Sequence, residues 1–376
     1  MTDIQLSKTL KSLVTTEGIL ELSLAELDVP NPEGNQVLVQ MEAVPINPTD
    51  LALMFGPADL TSVESEATAA GPLARMRIPE KLLGAVRSRI GESLGAGFEG
   101  AGRVVGAGES EAAQALLGQT VALTGDGLFT RYCCVDALQV TAMGESISPK
   151  EAASSFVNPM TALGMVETMR REGHTAVVHT AAASNLGRIL NRVCIAEGVS
   201  LINIVRKPEQ VALLKEEGAA WVLDSSEETF RAHLTEAIAE TGATLAFDAL
   251  GGGKLGNTIL SCMERAIASK SPYNRYGSDT YKQLYIYGRL DLSPTQLTAA
   301  YGFAWGVGGW LLSQFMEQAG ADKVEAMKAR IKREIKSTFA SQYSAEISLE
   351  EALSPENISR YSRRATGEKF LINPAK

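Results

Sequence analysis

Histidine and cysteine are scarce in this 376-residue chain, which holds only His174, His179 and His233 and Cys133, Cys134, Cys194 and Cys262. A tetrahedral zinc centre takes three or four N, S or O ligands, and the sequence offers no closely spaced group of four cysteines. There is no C-x-x-C pair either, so a reduced, cytoplasmic chain without a disulfide framework is expected. Acyl transfer is disfavoured, because Ser154–Ser155 and Cys133–Cys134 lack a glycine-flanked nucleophile elbow and few histidines could serve as bases. Basic residues number 35 against 44 acidic ones; a chain of net charge −9 carries no basic field for a nucleic-acid partner. The opening MTDIQLSKTLKSLV lacks the apolar core of a secretory signal. The 34 glycines follow no period and form no low-complexity tract, which excludes fibrous and disordered classes.

Charge is missing altogether from Leu292 to Met316. The more apolar part of that stretch, AAYGFAWGVGGWLLSQFM, is at the lower edge of a membrane-spanning length. It contains four glycines and follows Ser293, Pro294, Thr295 and Gln296, so a buried or interface helix is expected and no membrane span.

What the chain does have is a rhythm. Ala176–Thr180 is a short apolar run, followed by a helical stretch from Leu186 to about Glu197. Leu201–Val205 follows, then a helix from Pro208 to Glu217 that Gly218 stops. Trp221–Leu223, a helix near 227–240, Thr244–Asp248, a helix from Leu255 to Ile267 and Leu284–Tyr287 complete the series. The strands are continuous apolar runs, as in a sheet covered on both faces. Their alternation with helices predicts a parallel, doubly wound sheet, which binds ligands at the carboxyl ends of its strands. His179, Cys194 and Cys262 read as core residues.

Between the first strand and its helix lies Ala181–Ala182–Ala183–Ser184–Asn185–Leu186–Gly187, where backbone amides and a helix N-terminus can hold a pyrophosphate. Small residues at 181, 184 and 187 keep the spacing of a glycine-rich turn, though only Gly187 is glycine. The second strand ends at Val205 and is followed by Arg206 and Lys207. NAD enzymes place an acid there for the ribose 2′-hydroxyl; an arginine suits a 2′-phosphate, so NADP-type binding is expected.

The first 150 residues read as mainly β. Val37–Ala43, Gly100–Val105 and Gly118–Leu123 are strands joined by glycine turns, interrupted by a charge-rich, helix-like piece over 61–90. The segment 368–374 reads as a strand returning to this region.

In order along the chain, Asn47–Pro48–Thr49–Asp50, Gly97–Phe98–Glu99–Gly100–Ala101–Gly102, Gly118–Gln119–Thr120–Val121, Pro159–Met160–Thr161–Ala162, Ala181–Gly187, Gly218–Ala219 and Phe247–Gly251 form a series. Arg364–Gly367 and Phe370–Pro374 close it. The series resembles the medium-chain dehydrogenase/reductase superfamily, and within it the zinc-free NADPH:quinone oxidoreductases. The resemblance implies an α/β fold: a Rossmann doubly wound parallel sheet over 151–335 that binds NADPH, plus a β-rich GroES-like domain over 1–150 to which 336–376 returns. It implies that Asn47 and Thr161 are catalytic, positioning the nicotinamide together with the backbone at Tyr287–Gly288. It extends the cofactor site to Thr180, Ala181, Ser184, Asn185, Leu186, Arg206, Lys207, Ala249, Arg289 and Arg364. No metal is implied: Asn47 and Phe98 stand where zinc enzymes of the superfamily have ligands, and Glu99 reads as a structural carboxylate.

The implied reaction passes hydride from NADPH to a small electrophile, a quinone or an α,β-unsaturated carbonyl, in a homodimer that buries 292–316. Tyr287, Tyr285 and water stand open as proton donors. An enoyl-thioester reductase and a catalytically silent NADPH-binding protein are the alternatives. The chain departs from the pattern in having Ser184–Asn185 for two glycines, Ala58 and Ser225 for tyrosines, and a long piece over 57–96 beside the expected substrate cleft. Ser184 can donate to a phosphate, and Asn185 tolerates a left-handed backbone.

Overall fold

The computed structural model describes residues 6–376. They divide into two compact units, one running to Val157 and including Ala340–Lys376, the other spanning Asn158–Phe339.

The second unit is built on a six-stranded sheet of Ala176–His179, Ser200–Val205, Trp221–Asp224, Leu245–Asp248, Lys282–Ile286 and Trp305–Gly309, all paired in parallel. Across the sheet the strands run third, second, first, fourth, fifth, sixth, so the order reverses between the first and the fourth. Val177, Val178, Ile202, Leu245 and Ala246 are fully buried, which accounts for the continuous apolar runs. Helices Asn185–Glu197, Pro208–Glu216, Phe230–Thr241 and Leu255–Ala268 make the crossovers. Lys282 opens the fifth strand fully buried. Its ammonium donates to Glu264 (2.7 Å), to the Ser278 hydroxyl (2.9 Å) and to the Thr280 carbonyl (2.9 Å).

The charge-free stretch is not the single helix expected from its composition. Trp305–Gly309 is the sixth strand and only Leu312–Ala319 is helical. Each glycine costs a helix about 1 kcal/mol against alanine, and three of the five residues in the strand are glycine. A Cβ at Gly306 would overlap the hydroxyl of Tyr281, the residue just before the neighbouring strand, so glycine makes room there for that side chain.

The first unit is antiparallel except for Ala345–Ile347, which pairs with Phe370–Ile372 in parallel. Asp59–Thr68, Gly71–Arg77, Ile19–Asp28, Leu6–Val14 and Ser93–Gly95 form one sheet. Val140–Ala142, Thr120–Thr124, Glu99–Ala107, Gln36–Pro45, Phe370–Ile372 and Ala345–Ile347 form another, with Tyr132–Asp136 also paired to Gln36–Pro45. The tail strand joins through Leu371↔Pro45 and Ile372↔Val44. The piece over 61–90 corrects the helical expectation: it is a hairpin, Asp59–Thr68 with Gly71–Arg77, followed by a 3-10 helix, Glu80–Arg89. Ala74 and Met76 enter the core, while Arg75 between them donates to Glu21 (2.8 Å) and Glu66 (2.7 Å) on the flanking strands. That alternation has period two, which charge density alone conceals.

Gly102 lies where Glu99–Ala107 crosses Gln36–Pro45, and a Cβ there would overlap the Gln40 carbonyl oxygen. Because that neighbour is backbone and cannot swing aside, Gly102→Ala should cost at least about 2 kcal/mol in chemical denaturation. A variant as stable as the parent would contradict this packing.

Candidate active site

In the second unit the ends of three strands meet at one residue, whose carboxylate ties the first and fourth and whose backbone carbonyl holds the fifth. Asp248, 2% exposed, accepts from the Thr180 hydroxyl (2.7 Å) and the Leu250 amide (3.0 Å) through Oδ1, and from the Gly251 amide (3.2 Å) through Oδ2. The Thr180 hydroxyl oxygen in turn accepts from the Ala249 amide (2.8 Å). The Tyr287 amide donates to the Asp248 carbonyl (3.1 Å) and that of Leu290 to the Ala249 carbonyl (3.1 Å), which brings Gly288 and Arg289 to the same edge. A Cβ at Gly288 would lie 2.6 Å from the Ala249 carbonyl oxygen.

The turn after Thr180 is tight. The Ser184 amide donates to the Ala181 carbonyl (3.0 Å), and the Ser184 hydroxyl caps the helix by accepting from the Gly187 amide (3.1 Å). Gly187 has no substitute, since a Cβ would overlap the Ala182 carbonyl oxygen. The left-handed residue is Ala181, at φ 51°, and not Asn185, which with Leu186 belongs to the first turn of Asn185–Glu197. The positions of Ser184 and Asn185 therefore make no demand for glycine. Arg206 and Lys207 are exposed just past the second strand, and the Ser225 hydroxyl donates to the Val205 carbonyl beside them (2.9 Å).

His179 is more than a packed core residue. Its Nε2 lies 2.7 Å from the Tyr287 hydroxyl, while its buried Nδ1 has no partner. Burial pushes the imidazole down to about 3, so it is neutral, and burial pushes the Tyr287 phenol up. Tyr285 donates to Glu172 (2.9 Å) and is pushed up to about 12, by burial first and then by that carboxylate.

Thr161 is nearly buried in the helix Val157–Arg171. In the first unit, Asn47 precedes the helix Pro48–Phe55 and is 2% exposed. Its Nδ2 donates to Glu99 Oε1 (2.8 Å) and its backbone amide to Asp50 Oδ2 (2.8 Å). Glu99 Oε2 accepts the amides of Phe156 (3.1 Å) and Val157 (2.8 Å), as a structural carboxylate would. Lys369 Nζ donates to Asn47 Oδ1 (3.2 Å). Burial pushes Glu99 up and Lys369 down. Arg364 is exposed at φ 51° beyond the helix Pro355–Ser362. Among the described residues no group of three or more His, Cys, Asp or Glu is arranged to hold a metal ion, and no helix is long and apolar enough to cross a membrane.

No family profile matches the sequence. Over 252 residues, 65% of this chain, it is 27% identical to the mitochondrial enoyl-[acyl-carrier-protein] reductase of Caenorhabditis elegans, and it spans 64% of the length of that curated relative. Solved structures align over nearly the whole chain. A candidate NADPH:quinone reductase from Mesorhizobium loti superposes with a TM-score of 0.72 at 24% identity, covering 100% of both chains. Escherichia coli quinone oxidoreductase, complexed with NADPH, gives 0.67 at 18%, covering 98% of this chain and 100% of its own. The Etr1p complex with NADP and crotonyl-CoA gives 0.67 at 17%, covering 98% and 99%. The fold is that of the medium-chain dehydrogenase/reductases.

Within this medium-chain fold, sequence reasoning missed three groups. Asp248 was visible only as part of a motif, Lys369 only as part of the returning segment 368–374, and the His179–Tyr287 pair spans 108 residues and leaves no local signal. Asp50 was legible as the end of Asn47–Pro48–Thr49–Asp50, but its burial was not. Burial is the leading cause that raises Asp50 from 3.8 to about 7. The folded chain thus prefers the protonated acid, and the stability this carries is complete below pH 3.8 and lost as pH rises through about 7. Wild type should therefore lose melting temperature relative to Asp50→Asn as pH rises from about 4 to about 8. Parallel curves for the two proteins would contradict the assignment.

Proposed function

We propose that the chain is a zinc-independent reductase that transfers hydride from NADPH to a quinone or an α,β-unsaturated carbonyl. The observation that carries the reading is the turn from Thr180 to Gly187 at the carboxyl edge of the parallel sheet, with Arg206 at the end of the next strand. The turn fits a pyrophosphate: Gly187 lets the helix pack on the turn, and the Ser184 hydroxyl keeps its hydrogen free to donate. NADPH supplies the hydride at C4 of its nicotinamide when bound. Arg206 and Lys207 would hold the 2′-phosphate; Thr180, Ala181, Ser184, Asn185, Leu186 and Ala249 the pyrophosphate side; Thr161, Asn47 and the backbone at Tyr287–Arg289 the nicotinamide, with Arg364 contributing to the cofactor site. Asn47 is fit to position a reacting group because both ends of its carboxamide are hydrogen-bonded. Zinc independence is supported by residue chemistry: a carboxamide bonded to an ammonium occupies position 47, not a thiolate. The Caenorhabditis elegans relative favours a second reading, an enoyl-thioester reductase. Measuring NADPH oxidation with quinones, enones and enoyl thioesters separates the two, and no oxidation with any of them would favour a silent NADPH-binding protein.

A bidentate guanidinium–phosphate contact is worth about 1.5–3 kcal/mol. Arg206→Ala should therefore weaken NADPH binding by roughly tenfold or more and leave NADH almost unchanged, as read by cofactor fluorescence. Equal losses would sink the 2′-phosphate assignment.

The homodimer has a defined surface in this reading. Among the described residues the sixth strand has one neighbour, the fifth, and its outer edge is unpaired. Exposed Phe303 and Leu311 flank it, whereas Trp310 is taken up internally by Thr168 (3.0 Å) and by the rings of Phe247 and Phe315. A bare edge strand is a template for pairing. The Trp310 amide points inward to Ile286 (2.9 Å), so the Gly309 amide alternates outward, and a Cβ there meets nothing. Light scattering should give roughly twice the 40.1 kDa chain mass. Gly309→Pro should give a folded monomer, and a dimer that survives it would place the interface elsewhere.

A further inference from the structure

Lys369 is the one cation of the Asn47 cluster, and its bonding is incomplete. Of its three N–H bonds one goes to Asn47 Oδ1 at 3.2 Å, and the ammonium lies 5.9 Å from the centre of the Tyr343 ring. It makes no direct ion pair. Glu99, from the strand Glu99–Ala107, and Asp50, from the helix Pro48–Phe55, act on it through space, and the Tyr343 hydroxyl is turned to Ser154 (2.8 Å). Residue 369 is only partly buried, unlike Asn47, Asp50 and Glu99, which are 2%, 3% and 1% exposed. A cation with one side-chain hydrogen bond, in the least buried member of such a cluster, can receive an oxygen that carries, or acquires, negative charge. The two tyrosines of the second unit are poorer acids at neutral pH: burial raises both, Tyr285 to about 12.

We propose that Lys369 is a catalytic residue, the group that binds the carbonyl oxygen of an α,β-unsaturated substrate and protonates the reduced product; this rests on the reductase reading above. When a hydride forms the new C–H bond at the β-carbon, the C=C pair moves toward the carbonyl and leaves an enolate. An Nζ–H bond then breaks, its proton forms the second new bond of the saturated carbonyl compound, and the amine recovers a proton from water. NADPH is the reductant and leaves as NADP⁺. A quinone accepts the same hydride to give a hydroquinone anion, a far weaker base than an enolate, and so depends on Lys369 much less. Burial lowers the lysine from its ordinary value of 10.5, which favours proton donation.

The test compares 2-cyclohexenone with 1,4-benzoquinone as acceptors for the NADPH-loaded enzyme. Lys369→Met, which also removes a hydrogen bond from Asn47, should lower kcat/KM for the enone on the order of a hundredfold more than that for the quinone. In wild type the enone profile should fall on an alkaline limb below pH 10.5, and Lys369→Arg, which keeps the charge, should move that limb upward. A readout independent of turnover is 4-nitrophenol bound to the NADP⁺ form: its phenolate absorbance should appear at lower pH than for the free probe, and Lys369→Met should abolish that shift. Equal losses for both acceptors, or an alkaline limb unmoved by Lys369→Arg, would overturn the proposal. If wild type binds NADPH but oxidises it with neither acceptor, the reductase reading falls and this proposal with it; an active wild type with an unaffected Lys369→Met sinks this proposal alone.

Discussion

A single buried carboxylate, Asp248, sets the geometry on which the ligand edge of the parallel sheet depends. It holds the hydroxyl of Thr180 at the end of the first strand and two amides of the loop after the fourth. The backbone after the fifth strand hydrogen-bonds to Asp248 and Ala249. Parallel strands that end together still need their loops aimed, and loops carry their own unsatisfied amides. Here one acceptor satisfies two of those amides and the hydroxyl that satisfies a third, so the turn at Ala181 and the loop after the fourth strand are placed by the same carboxylate, while the backbone at Tyr287–Gly288 is held by the main chain of Asp248 and Ala249. Charge-assisted hydrogen bonds from backbone amides are stronger than neutral ones, which suits a device shared by three strand ends.

The first unit uses buried charge differently. Glu99 is held by amides and a carboxamide, and Lys369 compensates it through space while sharing Asn47 as a hydrogen-bond partner. Burying two carboxylates beside one ammonium leaves an uneven balance, and Asp50, pushed up to about 7, absorbs it by holding its proton. Such a cluster is polarised toward its one incompletely bonded member.

The parallel sheet was legible because burial on both faces writes itself into sequence as uninterrupted Val, Ile and Leu, and because Gly218 and the residues after Thr180 mark helix boundaries. Five of its strands could be read this way. The sixth could not, since its glycines carry no apolar signal and its pairing depends on the close approach of Tyr281. The hairpin at 59–77 was hidden by charge: Arg75 looks like a helix-surface residue until the partners Glu21 and Glu66 are known to lie on other strands. The position of the left-handed residue, at Ala181 rather than Asn185, depends on where the helix begins, a boundary that spacing alone does not resolve. Lys369, 322 residues from Asn47, is a product of the tail strand's pairing with Gln36–Pro45.

The buried ammonium of Lys282 has a bearing on how the last two strands find their alignment. Slipping a strand by one residue turns every side chain to the opposite face. In the glycine-rich sixth strand only Trp305 and Val307 resist such a slip with side chains packed on the core. For the fifth, it would pull Lys282 away from Glu264, Ser278 and Thr280 and strand a charge among apolar neighbours, a penalty of several kcal/mol. The lysine therefore acts as an indexing pin: it admits one register for the fifth strand, and the sixth, which has nothing else to align against, inherits that register residue by residue from Lys282↔Trp305 to Ile286↔Gly309.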